Sequence, residues 1–340
     1  MPDENGLSGS NMDAMRVAVT IGDPAGIGPE VALRAAAWAM SHDVARPVLV
    51  GSYALLQRYA TRMGVTLRPF RPHDSHADGV LPMLDVPSPV DELDHLPSGP
   101  HPATGEASYR YVVQATELVQ QGLCRALVTA PISKRSWQLA GIAYLDHTAL
   151  LAALTKREPL LMFQTGSGLK VLFFTRHLPL REAVQAIRRE PLERFLKRAY
   201  RALQELLGKP PRLAVAALNP HAGEEGMLGR EEIEELEPAV QGLRHQGLEV
   251  EGPVPADAVF FLASQGAYDA VVALYHDQGH IACKTVDFFG TVSVTLGLPF
   301  IRTSPDHGTA FSLVGTGRAN PRSMMEAIRW ASKYAEGTTS

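Results

Sequence analysis

The stretch DAVVALYHDQGH, residues 269–280, is a continuous apolar run that passes without a linker into His276 and Asp277. Such a run reads as a β-strand buried on both faces, the usual condition of parallel sheets covered by helices. Two upstream runs share its form. LKVLFFT (169–175) is followed by Arg176 and His177, and RLAVAAL (212–218) by Asn219, Pro220 and His221. Further out, RVAVTI (16–21), RPVLVG (46–51) and RALVTA (125–130) read as strands, and SVTLGLPFIRT (293–303) is strand-like. Helical stretches separate them at 29–40, 53–63 and 107–121, and 321–335 is a closing amphipathic helix. Residues 71–105 are rich in Pro, Asp, His and Gly and read as loop with room for one short strand. The alternation predicts an α/β fold whose mostly parallel sheets carry helices on both faces. A chain of 340 residues is long for one domain and comfortable for two. No linker interrupts it, so two domains would have to exchange segments.

Composition narrows the function. The chain is 45% hydrophobic and 20% charged, as ordinary globular proteins are, with a formal net charge of -4. That balance argues against nucleic acid as a partner, because a phosphate backbone calls for a basic surface. The two cysteines, Cys124 and Cys283, form no C-x-x-C and exclude a disulfide framework, which points to a reducing, cytoplasmic setting. No stretch approaches a membrane span. Residues 1–14 lack the basic start and apolar centre of a signal peptide and read as a flexible extension.

In open α/β sheets, ligands bind at the carboxyl ends of the strands. His177, His221 and His276 each follow such an end, so they meet there if the three strands share a sheet. Singly, each is a hydrogen-bonded loop histidine. Together they are the neutral imidazole set that a catalytic metal uses, with Asp277 and Asp257 either carboxylates that orient them, further ligands, or simply helix caps or solvated loop residues. The loop GDPAGIGPE (22–30) is neither G-x-G-x-x-G nor a P-loop. It is either a tight turn with Pro29 in the first helical turn or a ligand loop. Asp146-His147-Thr148 opens the apolar stretch ALLAAL, where Asp146 or Thr148 caps the helix or His147 and Thr148 serve an anion at its N-terminus. Lys284 and Arg302 flank the strand-like segment after the third histidine. Arg suits bidentate carboxylate or phosphate binding, and Lys a point charge or proton acceptor. The neutral, Gly-rich stretch 306–321 has the composition of a loop that wraps a nucleotide by its backbone.

Six separated motifs, GDPAGIGPE, DHTALLA, FFTRHLPL, NPHAGE, YHDQGH and LGLPFIRTSPDHGTAF, together resemble the 4-hydroxythreonine-4-phosphate dehydrogenases of vitamin B6 biosynthesis, in order from about residue 16 to 335. The GIGPE start and the HGTA…GTGRANP end also resemble the isocitrate and isopropylmalate dehydrogenases. The resemblance implies two α/β/α domains with an interdomain cleft, and a homodimer with the site at its interface. On that basis the first domain is expected over 15–136 plus 305–340, and the second, with metal and substrate ligands, over 137–304. By motif matching, His177, His221 and His276 become the ligands of one divalent metal (zinc, cobalt, magnesium or manganese). His147, Thr148, Lys284, Ser293 and Arg302 become substrate ligands, and His307, Gly308 and Thr309 part of the NAD or NADP site.

The implied reaction oxidises 4-phosphohydroxy-L-threonine to 2-amino-3-oxo-4-phosphooxybutanoate, which decarboxylates to 3-amino-2-oxopropyl phosphate. Lys284 is the candidate base, backed by Asp277. One departure bears on the substrate. The family usually has Asn nine residues before the arginine, where this chain has Ser293, a shorter side chain without an amide donor. The YHDQGHI variant, with His280, also resembles paralogues acting on threonate or erythronate 4-phosphate. Relatives that act on cis-dihydrodiols are disfavoured by the retained DHT and TRHLPL. A metal-dependent hydrolase or lyase would use the same three histidines. An acyltransferase of this general fold would need none of them.

Overall fold

The computed structural model describes residues 16–72, 79–93 and 95–337; the expected extension at 1–14 lies outside them. In chain order the strands are β1 (Arg16–Thr20), β2 (Arg46–Gly51), β3 (Thr66–Pro69), β4 (Val80–Asp85), β5 (Ala126–Thr129), β6 (Leu160–Gln164), β7 (Lys170–Phe173), β8 (Leu213–Ala216), β9 (Val250–Val254), β10 (Ala270–Ala273), β11 (Val292–Leu296) and β12 (Ile301–Pro305). They fall into two compact units, one up to Pro159 and again from Leu298, the other Leu160–Gly297. Residues 137–159 and 298–304, assigned from sequence to the second domain, thus lie in the first unit. Their packing explains this. The indole Nε1 of Trp137, fully buried, donates to Ser108 Oγ at 2.9 Å, and β12 pairs with β5.

The first unit holds strands in the order β3-β4-β2-β1-β5-β12, all parallel. Its central strands are apolar on both faces, with Val17, Ala18, Val19, Val48 and Leu49 fully buried, because helices cover both sides. Helix Gly28–Ser41 carries Pro29 in its first turn, where a missing N–H costs nothing. Helix Arg322–Gly337 is amphipathic and packs on β12, where the Thr303 hydroxyl donates to Ala327 O at 2.7 Å.

In the second unit the order is β11-β6-β7-β10-β8-β9. The β7-β10-β8-β9 half is parallel, whereas β11 with β6 and β6 with β7 are antiparallel. The segment 293–303, read as one strand, is two strands parted around Gly297. The core is formed by Val171, Phe173, Ala214, Ala216, Val271, Ala273 and Phe163. Helix His276–Asp287 lies against it at close range. A Cβ on Gly279 would stand 2.5 Å from Phe173 Cε1 and 2.9 Å from Ala273 Cβ, so no larger residue fits without displacing the helix. No helix among the described residues is long and apolar enough to cross a membrane.

Candidate functional site

The three histidine-bearing strands are neighbours: β10 lies between β7 and β8, parallel to both. Past the strands, Phe174 N donates to Ala273 O at 2.8 Å and the Thr175 hydroxyl to Leu274 O at 2.8 Å, carrying the β7 segment alongside β10 up to His177. The Gln278 side chain joins the other pair of ends. Its Oε1 accepts from Leu274 N at 2.7 Å, and its Nε2 donates to Ala217 O at 2.7 Å.

The structure brings His177 and His276 together, with ring centroids 5.7 Å apart. A cavity of about 310 Å³ beside them is lined by Arg176, His177, Leu180, Tyr275, His276 and Asp277. His276 Nδ1 pairs with Asp277 Oδ1 at 2.6 Å, and His221 Nδ1 with Glu224 Oε1 at 2.7 Å. A carboxylate on Nδ1 fixes the tautomer that offers Nε2 as a lone-pair donor, the usual support of a metal-binding imidazole. It also raises the His221 pKa, through the Glu224 hydrogen bond first and its charge second. The donor chemistry therefore fits a divalent metal. His221 is not gathered with the other two, however: among the described residues no group of three or more His, Cys, Asp and Glu side chains is close enough to hold an ion. Asp257 lies near enough to His221 for its charge to be felt.

His221 sits on an unusual backbone. Residues 221–225 all have positive φ, between 42° and 82°, and only Gly223 among them is glycine. Left-handed geometry costs an L-residue about 1–2 kcal/mol, so the turn persists only where its surroundings impose it.

The helix that begins at His276 carries His280 and Lys284 at four-residue steps, on one face. His280 stacks on His276 with centroids 4.0 Å apart and packs against Phe163 and Phe173. Burial, then the charges of His276, Lys284 and His177, push its pKa down to about 4, against a smaller upward pull from Asp277. The Lys284 Nζ lies 5.3 Å from the centre of the Phe288 ring. Ser293 is buried in β11 opposite Phe163, the residue against which His280 packs.

A second set lies in the first unit. Asp146 Oδ1 accepts from Ala149 N at 3.0 Å and caps helix His147–Thr155, which settles its role as a cap. His147 is buried at the first position of that helix, and Thr148 beside it is half-buried. Arg302 is 3% exposed, and its Nε and Nη2 donate to Thr129 Oγ1 at 3.2 and 2.5 Å. Burial lowers its pKa to about 10, against an upward pull from Asp146. Among the described residues, His147 Nε2 is buried without a hydrogen-bond partner. His307 Nε2 is in the same state, while His307 Nδ1 meets Gly308 O at 3.0 Å. Gly308 is exposed and Thr309 half-buried. Thr309 O accepts from Ile27 N at 2.9 Å, so the GDPAGIGPE loop and the HGTA segment brace each other. Within that loop Asp23, which the sequence did not single out, is fully buried. It accepts from Ser136 Oγ at 2.8 Å and Ala25 N at 3.0 Å, and burial raises its pKa.

The His147 environment makes a pH prediction. Burial, then the Arg302 and Lys134 charges, hold its pKa well below 6.5. Between that folded value and 6.5 the unfolded chain binds more protons than the folded one. Stability is therefore complete above about pH 6.5 and lost as the pH falls from there. His147→Asn is expected to flatten the fall in thermal midpoint between about pH 7 and pH 5. An unchanged slope would mean that the imidazole is accessible to protons in the folded chain.

Over residues 43–331 the chain matches the family of pyridoxal phosphate biosynthetic protein PdxA. Two relatives described as "Putative D-threonate 4-phosphate dehydrogenase" are similar over nearly the whole chain. That of Symbiobacterium thermophilum is 44% identical and that of Halalkalibacterium halodurans 41%, each alignment covering 94% of this chain and 96% of the relative. The crystal structure of 4-hydroxythreonine-4-phosphate dehydrogenase from Klebsiella pneumoniae is 39% identical, with a TM-score of 0.86 over 94% of this chain and 99% of that one. With a match that spans both units and includes all three strand-end histidines, the chain belongs to the PdxA family of pyridoxal phosphate biosynthetic proteins.

Proposed function

We propose that the chain is a nicotinamide-dependent dehydrogenase that oxidises the secondary hydroxyl of 4-phosphohydroxy-L-threonine to a β-keto acid, which then loses carbon dioxide. The observation that carries this reading is the trio of adjacent parallel strands ending in His177, His276 and His221, in a chain of this family. His177, His221 and His276 would hold one divalent ion, zinc, cobalt, magnesium or manganese, of which zinc best matches imidazole donors while magnesium and manganese favour oxygen. Such an ion supplies Lewis acidity at the reacting hydroxyl, and bound NAD or NADP supplies the hydride acceptor.

The remaining work falls to side chains. Arg302, His147 and Thr148 bind the phosphate and carboxylate. Arg302 brings a guanidinium already stripped of water, and His147 an imidazole nitrogen with no hydrogen-bond partner among the described residues. Fixing both ends of the substrate holds the reacting carbon in one place. Lys284 takes the hydroxyl proton, backed by Asp277, and Ser293 offers a hydroxyl to the substrate. His307, Gly308 and Thr309 contact the nucleotide, through backbone groups at Gly308. We propose further that the chain acts as a homodimer with the site at the interface. The helix of His276 and Lys284 and the residues just after it expose Ile281, Phe288 and Phe289, at 64%, 63% and 52%. Exposed apolar groups crowded on one element are the mark of a contact surface.

A second reading keeps the chemistry and changes the substrate to threonate or erythronate 4-phosphate. It is favoured by Ser293 and by the names of the 44% and 41% identical relatives. Metal-loaded protein assayed for NAD and NADP reduction with 4-phosphohydroxy-L-threonine, threonate 4-phosphate and erythronate 4-phosphate tests both. Turnover of the first supports the main reading, and turnover of a sugar-acid phosphate alone supports the second. Reduction of neither cofactor with any of the three, alongside metal-dependent phosphate release, would sink both in favour of a hydrolase.

A further inference from the structure

We propose that Glu232 is a positioning residue for His221, its buried carboxylate fixing the turn on which that imidazole is carried. The inference rests on the reading of His221 as a metal ligand and adds a residue to it.

Glu232 is fully buried at the start of the π-helical turn Glu232–Leu236. A buried carboxylate is costly unless donors surround it. Here the donors come from the two residues that lead into the histidine turn. Oε1 accepts from Leu218 N at 2.9 Å and Asn219 N at 2.7 Å, and Oε2 accepts from Asn219 Nδ2 at 2.8 Å. The next residue, Pro220, has no N–H to give, and His221 follows. The turn then passes over the same carboxylate: a Cβ on Gly223 would come within 2.9 Å of Glu232 Oε2. The entry to the left-handed run and its middle residue are therefore referred to one side chain. Glu231 assists from outside, accepting from Asn219 Nδ2 at 2.8 Å. Inside the turn His221 Nδ1 meets Glu224 Oε1 and Leu228 N donates to Gly223 O at 3.1 Å, so the carboxylate anchors the entry to a run that is also braced from within.

A purely structural carboxylate would change the stability of the unit and leave ligand affinity alone. Replacing a positioning carboxylate lowers metal affinity as well, beyond what the effect on stability accounts for. Glu232→Gln preserves volume and one acceptor for the backbone N–H groups, but turns an amide N–H toward the Asn219 amide. The test titrates Zn²⁺ into metal-stripped full-length dimeric or monomeric protein by calorimetry, with thermal midpoints measured in parallel. Loss of an outer carboxylate that orients a ligand weakens metal binding by about 10–100-fold. Glu232→Gln is expected near the low end of that range, with a modestly lowered midpoint from the buried amide facing Asn219 Nδ2, and Glu232→Ala near the high end. Amide exchange at Leu218 and Asn219 is expected to accelerate in both. Glu234→Gln, an exposed neighbour paired with Arg230, is expected to bind Zn²⁺ as the parent does.

His221→Ala separates the ways of failing. If it weakens Zn²⁺ binding while Glu232→Gln leaves both affinity and exchange unchanged, the positioning role is overturned and the ligand reading stands. If His221→Ala itself binds Zn²⁺ as tightly as the parent, the ligand reading is overturned and the role of Glu232 goes with it.

Discussion

Replacing His276 with alanine is expected to lower kcat by at least about 1,000-fold, a loss of roughly 4 kcal/mol of transition-state stabilisation. The effect is large because three functions converge on this ring. It ends the central strand of the three, it faces His177 at 5.7 Å, and its Nδ1 is already held by Asp277. Removing it also leaves His280 without the ring it stacks on. Asp277→Asn, which leaves the imidazole in place, is expected to have a smaller effect and to need more added metal for full activity. Chelator treatment should reproduce the alanine defect in the parent protein, with recovery on adding back zinc, cobalt, manganese or magnesium. His276→Ala protein that turned over normally without added metal would remove the metal from the mechanism.

Arg302→Ala is expected to lower kcat/KM by about 100–1,000-fold, mostly through KM. Truncating one partner of a desolvated charge pair costs about 2–5 kcal/mol. Arg302 is already 3% exposed, so most of the cost of removing water from the guanidinium is met before substrate arrives. Thr129 Oγ1 receives both Nε and Nη2 and sets the plane of the fork. Arg302→Lys is not expected to restore activity, because an ammonium cannot reproduce two parallel N–H donors. Thr129→Val would keep the charge and loosen the plane, giving an intermediate defect. Steady-state kinetics of the three variants decide the point, and an Arg302→Ala enzyme within threefold of the parent would remove Arg302 from the substrate site.

The strands that end in histidine were readable because their apolar runs are continuous and each stops abruptly at a polar residue. That β10 lies between β7 and β8 was not readable, since chain order does not give sheet order. The antiparallel β6 was missed because LLMFQ is a five-residue apolar run that periodicity alone cannot distinguish from part of a helix. Strand β9 was missed for a different reason: VEGPV carries Gly and Pro, which ordinarily mark loops, and its pairing with β8 is irregular. In the candidate site, the histidines, Lys284 and Arg302 carried chemistry in their residue types alone. Glu232 did not. The stretch REEIEELEPA carries no motif, and only the fold shows that this carboxylate turns inward to meet Leu218 and Asn219. Asp23 escaped similarly, inside a loop whose glycines drew the reading to its backbone.

The division of the chain has a consequence for how the protein is made. The first unit draws its β12 strand and its covering helix Arg322–Gly337 from beyond residue 297, whereas the second unit is one uninterrupted segment. As the polypeptide leaves the ribosome, the segment that begins first is therefore completed last. The later-starting unit has all its strands while the earlier one still lacks the strand that bears Arg302. Until that strand emerges, β5 presents an open edge to whatever is nearby, the kind of edge that invites mispairing. The arginine proposed to bind substrate thus sits on the last of the described strands to be made.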